Sequence, residues 1–288
     1  MKSGILLVNK PSGISSHDVV FRTRKALQVK EVGHTGTLDP LASGLMVLCI
    51  GFATKLADNL IKKEKTYVVQ ARLFASSDSY DTETLVKDLE KLDVSKQRIL
   101  EVLESFKGEI DQMPPQYSAL KVNGQKACDV ARKGGRVNLQ SRKITISQLD
   151  LLSFDGECFE CRVSCSSGTY IRSLVHDIAV ALGTDAVMTD LIRTQVSQYD
   201  LEKACEIADI SWDHVYGPDF LKQEFASVDL DETQINKIKF GQKIRSPKDF
   251  QEGDIVLLFC SGSLCCVAEY RSETKALQPK KINSKMFS

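Results

Sequence analysis

Gly33-His34-Thr35-Gly36-Thr37-Leu38-Asp39-Pro40-Leu41-Ala42-Ser43-Gly44-Leu45 is the stretch from which the rest of the chain can be read. It gathers three glycines, a histidine, two threonines and a single carboxylate. Glycine tolerates positive φ and lets a backbone approach another molecule closely. The order predicts a loop that runs into a helix, with Asp39 at the helix mouth and Pro40 at the first helical position. Two readings of Asp39 are open at this point. Asp before Pro is good helix-capping chemistry. Asp39 is also the one strong nucleophile or base that the loop contains.

The bulk composition narrows the classes. A chain of 288 residues, 42% hydrophobic and 26% charged, fits one large soluble domain or a large one with a small companion. No apolar run reaches membrane-spanning length, and Ile5-Leu6-Leu7-Val8 is too short for a secretion signal. The default location is cytoplasmic. Nine cysteines include Cys158-x-x-Cys161, which lacks a second pair at zinc-ribbon spacing. Phe159, Cys161, Val163 and Cys165 alternate with polar residues, so these cysteines read as small apolar groups on a half-buried strand. Cys265 and Cys266 would face opposite sides of a strand, which suits packing.

Net charge is zero, yet the charges lie in blocks. Residues 1–65 carry ten Lys/Arg against five Asp/Glu, and residues 116–145 carry seven against one. Residues 200–235 carry two against ten. Basic blocks of this kind suit a nucleic-acid partner, although a charge run is more often a solvated face.

Periodicity predicts strands over 4–8, 45–50, 65–74, 144–154 and 157–165. It predicts helices over 18–27, 53–61, 85–92, 95–106, 127–132 and 173–182, the last stopped by Gly183. After Ser197 the acidic stretch with Trp212 and Tyr216-Gly217-Pro218 reads as a linking region. Short strands at 243–244, 255–260 and 264–269 then imply a small β-rich unit. The expected domains are residues 1–224 and 225–288.

Phosphate loops, dinucleotide fingerprints, zinc-hydrolase helices and nucleophile elbows are missing from the sequence. Four histidines lie at 17, 34, 176 and 214, without metal-ligand spacing. What remains is cofactor-free chemistry centred on a carboxylate. Together with Lys10-Pro11-Ser12-Gly13, the opening segment resembles the TruB family of tRNA pseudouridine synthases, whose GHTGxLDPxAxG loop carries the catalytic aspartate. The resemblance runs over residues 4–196 through three further blocks. Lys65-Thr66-Tyr67-Val68-Val69 matches the strand bearing an active-site tyrosine. Gly168-Thr169-Tyr170-Ile171-Arg172 matches the segment bearing an arginine that pairs with the aspartate. Pro114-Pro115-Gln116-Tyr117-Ser118-Ala119-Leu120-Lys121 matches a block near the site and the RNA surface. Two departures stand out: Phe74-Ala75-Ser76-Ser77-Asp78-Ser79-Tyr80-Asp81 after the tyrosine strand, and Ile192 before Arg193, where the family often has a second arginine.

The resemblance implies an α+β fold, with a mixed, mainly antiparallel central sheet flanked by helices. A reduced PUA-like β-rich domain should follow at the C-terminus. It implies isomerisation of uridine 55 in the T loop of tRNA after base flipping, with no cofactor and no metal. Asp39, Tyr67 and Arg172 take the catalytic positions, and Lys10, His34, Lys121 and Tyr170 the RNA-binding ones. From pattern alone Tyr67 could equally be a core residue, Arg172 a surface ion pair with Asp177, and His34 a loop hydrogen-bond partner. The implied partner is tRNA, gripped at its T arm or elbow, with the C-terminal domain as the candidate contact for the acceptor stem; a monomeric protein and no membrane are expected. A chain that begins almost at Gly4 suits a stand-alone enzyme; the RNA-guided role of related enzymes is the alternative. An RNA-folding chaperone is the rival from outside catalysis.

Overall fold

The computed structural model describes residues 3–122 and 124–287. The chain runs β1 (Gly4–Lys10), α1 (Ser16–Leu27), β2 (Val32–His34), β3 (Ser43–Ile50), α2 (Ala57–Ile61), β4 (Lys65–Leu73), β5 (Ala75–Ser76), β6 (Lys87–Asp88), α3 (Lys96–Ser105) and β7 (Gly108–Gln112). There follow β8 (Lys121–Val122), β9 (Gln125–Lys126), α4 (Ala127–Ala131), β10 (Arg142–Phe154), β11 (Cys158–Cys165), α5 (Ile171–Ala181) and β12 (Ala186–Val196). The last third adds β13 (Tyr199–Asp200), β14 (Cys205–Glu206), β15 (Val215–Tyr216), β16 (Ala226–Asp229), α6 (Glu232–Lys239), β17 (Ile244–Arg245), β18 (Ile255–Cys260), β19 (Ser263–Arg271) and β20 (Ala276–Ile282).

The central sheet has the order β14-β1-β3-β12-β4-β11-β10-β7. Its pairings are antiparallel except β1 with β14 and β3 with β12. The class is therefore α+β, with the mixed, mainly antiparallel sheet that the sequence implied. Strand β4 buries Lys65, Tyr67, Val69, Ala71 and Leu73 on one face. Strand β11 buries Phe159, Cys161, Val163 and Cys165 likewise, as the period of two requires. The same period sends Cys158 outward and Cys161 inward, so the two thiols do not converge. Helices α1, α3 and α5 close the buried face through Val19, Val20, Ile99, Leu103, Leu174 and Ile178. Helix α1 opens on a reciprocal cap between Ser15 and Asp18.

Four local expectations fail. The Asp39 loop does not enter a helix; it turns, with the Ala42 amide bonded to the Asp39 carbonyl, and continues as β3. The apolar run Leu45–Ile50 is drawn between β1 and β12, and that tertiary pairing overrides the local Asp-Pro signal. Residues 85–92 form no helix. Leu85, Leu89 and Leu92 are exposed, so their helical spacing finds nothing to cover, and β6 pairs with β5 instead. Residues 51–56 form a 3-10 turn before the single helical turn of α2. The acidic stretch after Ser197 is no loose linker. Tyr199 and Leu221 are fully buried, and β14 and β15 both pair with β1.

A five-stranded sheet, β16-β18-β19-β20-β17, forms the C-terminal β-rich unit over its own core. Helix α6 was not foreseen, although Asp231 and Gln234 form a reciprocal cap legible as D-x-x-Q. Cys265 is disulfide-bonded to Cys260 of the neighbouring strand, and Cys266 is buried. The two sheets are not independent. Leu257, Phe259, Leu264 and Val267 of the second share one apolar cluster with Ile5, Leu7, Leu45, Val47 and Cys49 of β1 and β3.

Candidate active site

A cleft of about 520 Å³ opens where the Asp39 loop, β4, β12 and the start of α5 meet. Asp39, Tyr67, Tyr170, Arg172 and Arg193 all line it. Residues far apart in sequence converge because β12 lies between β3 and β4 in the sheet. Strand β3 brings the Asp39 loop to one side, and β4 brings Tyr67 to the other.

The carboxylate of Asp39 is partly exposed, and its Oδ2 lies 3.2 Å from an Arg172 guanidinium nitrogen. Arg172 itself is buried and also meets Asp81 Oδ2 at 3.2 Å. It further donates to the Tyr117 carbonyl at 2.8 Å and the Ser79 carbonyl at 3.4 Å. Asp81 is fully buried; its Oδ1 accepts from the Ser79 hydroxyl at 2.5 Å and the Glu83 amide at 2.9 Å. One guanidinium thus bridges two carboxylates of different exposure. The buried one fixes the arginine, and the exposed one is presented to the cleft. The fork geometry of arginine is what permits this; a lysine offers only a point charge.

The start of α5 is held by Gln112, which is fully buried. Its side chain accepts from the Tyr170 amide at 2.8 Å and donates to the Tyr170 carbonyl at 3.0 Å. The Tyr170 ring has two cations near it, with Arg142 4.7 Å and Arg172 5.9 Å from its centre. Tyr67 is 7% exposed, so it belongs to the core and to the cleft wall at once. Burial pushes its phenol above the ordinary value, and the nearby Arg193 only partly opposes this. The ring is therefore a neutral face at physiological pH, unsuited to act as a phenolate base.

Arg193 was named in the sequence only as part of a family departure. In the fold it is 1% exposed and ties the Asp39 loop down. It donates to the Leu45 carbonyl at 2.7 Å, the Gly36 carbonyl at 3.2 Å and the Thr37 carbonyl at 3.5 Å. Gly44 is required below it: φ is +100°, and a Cβ there would sit 2.4 Å from the Arg193 carbonyl oxygen. Asp81 was likewise passed over, although it stands inside the divergent Phe74–Asp81 segment.

The expectation that Lys10 binds RNA needs correction. Lys10 is fully buried, and its ammonium donates to the carbonyls of Ile14 at 2.8 Å, Pro11 at 2.9 Å and Pro40 at 3.3 Å. Desolvation lowers its pKa to about 8, with Asp39 opposing the shift. A cation spent on three carbonyls braces the loop and is not free for RNA. His34 is half-buried on β2, outside the cleft lining, and its Nδ1 accepts from the Gly36 amide at 3.3 Å. Lys121 is exposed on a small hairpin, opposite Lys126. Arg172 does not pair with Asp177; its carboxylate partners are Asp39 and Asp81.

Comparison with known proteins now decides the lineage. Residues 24–171 match the N-terminal domain model of TruB family pseudouridylate synthases. Residues 172–224 match the C-terminal domain model of tRNA pseudouridylate synthase B. The chain belongs to the TruB family. A tRNA pseudouridine synthase B of Azoarcus sp. (strain BH72) is 38% identical over 286 residues, covering 97% of this chain and 94% of that protein. One from Fusobacterium nucleatum subsp. nucleatum is 45% identical over 199 residues, 69% of each chain. Among solved structures, a Cbf5-Nop10-Gar1 complex aligns over 97% of this chain and 84% of that one, at TM-score 0.74 and 24% identity. That last likeness speaks for the pseudouridine synthase fold. The TruB family relatives speak for the reaction: the chain is a pseudouridine synthase, an isomerase that modifies tRNA.

Proposed function

We propose that the enzyme isomerises uridine 55 in the T loop of tRNA, with Asp39 as the reacting carboxylate. The observation that carries the role of Asp39 is the Arg172 bridge, which leaves one carboxylate facing an open cleft while burying its counterpart, and the tRNA pseudouridine synthase B relatives support the substrate class. Isomerisation breaks the C1′–N1 bond, turns the uracil and forms C1′–C5; the C5 proton leaves and N1 gains one. No electrons are exchanged with a cofactor. An ionised carboxylate can supply the nucleophilic or charge-stabilising oxygen that the separated fragments need. The Arg172 guanidinium faces that carboxylate with positive charge at 3.2 Å and fixes its direction.

A uridine in folded RNA must leave its stack to reach such a cleft. In this reading Tyr67 offers its ring to the flipped uracil, and Tyr170, with Arg142 and Arg172 near its ring, forms the opposite lip. His34 and Lys121 lie outside or at the margin, where they serve the RNA around the flipped base. The C-terminal sheet contacts the acceptor stem, and the protein acts as a monomer in the cytoplasm. None of the described helices is long and apolar enough to cross a membrane.

Incubation with unmodified tRNA, followed by nucleotide-resolution mapping of pseudouridine, tests the site. Modification confined to position 55 is expected. Modification at another position, with 55 untouched, would overturn the assignment.

Tyr67→Leu is expected to slow turnover by roughly 5- to 150-fold, the equivalent of about 1–3 kcal/mol for a base stacked on an aromatic ring. Tyr67→Phe should recover most of that loss, since the face is kept. Turnover measured beside denaturant stability separates the roles. A Tyr67→Leu protein that is destabilised yet turns over normally when folded would mark Tyr67 as core only.

A further inference from the structure

Helix α5 holds the loop before β6 at two adjacent residues. Arg172 takes the Asp81 carboxylate at 3.2 Å. One turn later, His176 stacks on the ring of Tyr80, with centroids 4.1 Å apart and planes 13° from parallel. Residues four apart share a helix face, so both grips act on the same side of the loop. The His176 imidazole is in turn fixed by Asp185, whose Oδ1 lies 2.7 Å from Nδ1. Asp185 Oδ1 also accepts from the Ala186 amide at 2.7 Å, at the start of β12.

Tyr80 has φ of +62°, a region that bulky L residues rarely enter. Such a conformation persists only where its surroundings hold it. Three holds are visible: the stack on His176, the Tyr80 carbonyl, which accepts from the Met188 amide at 2.9 Å, and the Tyr80 amide, which donates to the Ser77 carbonyl at 3.2 Å. The residue held this way is the one directly before Asp81.

We propose that Tyr80, His176 and Asp185 form a positioning device that sets the Asp81 carboxylate against Arg172, and through Arg172 the direction of Asp39. None of the three lines the cleft, so each acts through another group. The proposal rests on the pseudouridine synthase assignment, which wild-type turnover in the same assay checks separately.

The test compares Tyr80→Asn, Tyr80→Phe and His176→Ala on tRNA. Asparagine accepts positive φ, so Tyr80→Asn removes the ring without forcing the backbone. Its kcat is expected to fall about tenfold or more, as small misplacements of reacting groups do, while KM stays unchanged. His176→Ala should follow it, and Tyr80→Phe should restore kcat because the stacking face returns. In an Asp81→Asn background, Tyr80→Asn should add nothing further, since the group it positions is already disabled. Amide hydrogen exchange at residues 79–84 should quicken in Tyr80→Asn and His176→Ala but not in Tyr80→Phe. Full kcat in a folded Tyr80→Asn protein overturns the proposal. So does an unchanged loss in the Asp81→Asn background, which would assign Tyr80 a role independent of Asp81.

Discussion

Asp39→Asn is expected to leave a folded, tRNA-binding protein whose pseudouridine formation is lowered by about 10⁴-fold or more, the scale seen when a reacting group is removed. The structure makes this substitution cleaner than the sequence suggested. Asp39 caps no helix, so no cap is put at risk. Its ion pair reaches Arg172 from a carboxylate that is 37% exposed. Such a half-exposed pair contributes about 0–1 kcal/mol, a small part of global stability. Arg172 keeps Asp81 as a buried counter-charge in the variant. Nearly all of the effect should therefore fall on chemistry. Single-turnover pseudouridine mapping, with tRNA affinity and thermal melting measured on the same preparation, separates the two. Near-normal turnover by folded Asp39→Asn would remove Asp39 from the reaction.

Arg172→Met is expected to damage both stability and turnover, because Arg172 serves two carboxylates and two carbonyls. Its removal strands Asp81 as a fully buried anion without its partner. Breaking a buried pair from one side costs about 3–5 kcal/mol. A second substitution then gives a diagnostic result. Asp81→Asn placed on Arg172→Met removes the stranded charge and should return much of the stability. It should return none of the activity, since Asp39 still lacks its guanidinium. Denaturant midpoints and turnover must diverge in this pair of variants. Strictly additive stability losses would show that Arg172 and Asp81 are not energetically coupled.

Five strands of the central sheet, β1, β3, β4, β10 and β11, were readable because their signal is local, whereas β7 and β12 (Ala186–Val196) carried no such signal and were missed. Alternation in β4 and β11 needs no knowledge of neighbours. The loop pointed to Asp39 alone, and Tyr67 and Arg172 came only from the family resemblance of two other blocks; the fold lines one cleft with all three. What escaped notice depends on contacts distant in sequence. Arg193 acts on carbonyls that are 148 to 157 residues away, and Asp81 meets its arginine 91 residues later. Lys10 was expected to bind RNA, and the cage of carbonyls that takes up its ammonium is not written in composition. The failed helix at 85–92 has the right spacing and no apolar surface opposite it. Periodicity reports a face; whether anything packs against that face is decided elsewhere in the chain.

The apolar cluster common to the two sheets has an evolutionary consequence. Leu45, Val47 and Cys49 lie on the strand that leaves the Asp39 loop, and residues of β18 and β19 cover them from behind. The C-terminal sheet is therefore not a detachable accessory. A lineage that discarded it would uncover apolar side chains of β1 and β3, the latter issuing straight from the Asp39 loop. Loss would have to be accompanied by polar replacements at those inner positions, and gain by apolar ones. The two parts are expected to have changed together, each constrained by the other's shape.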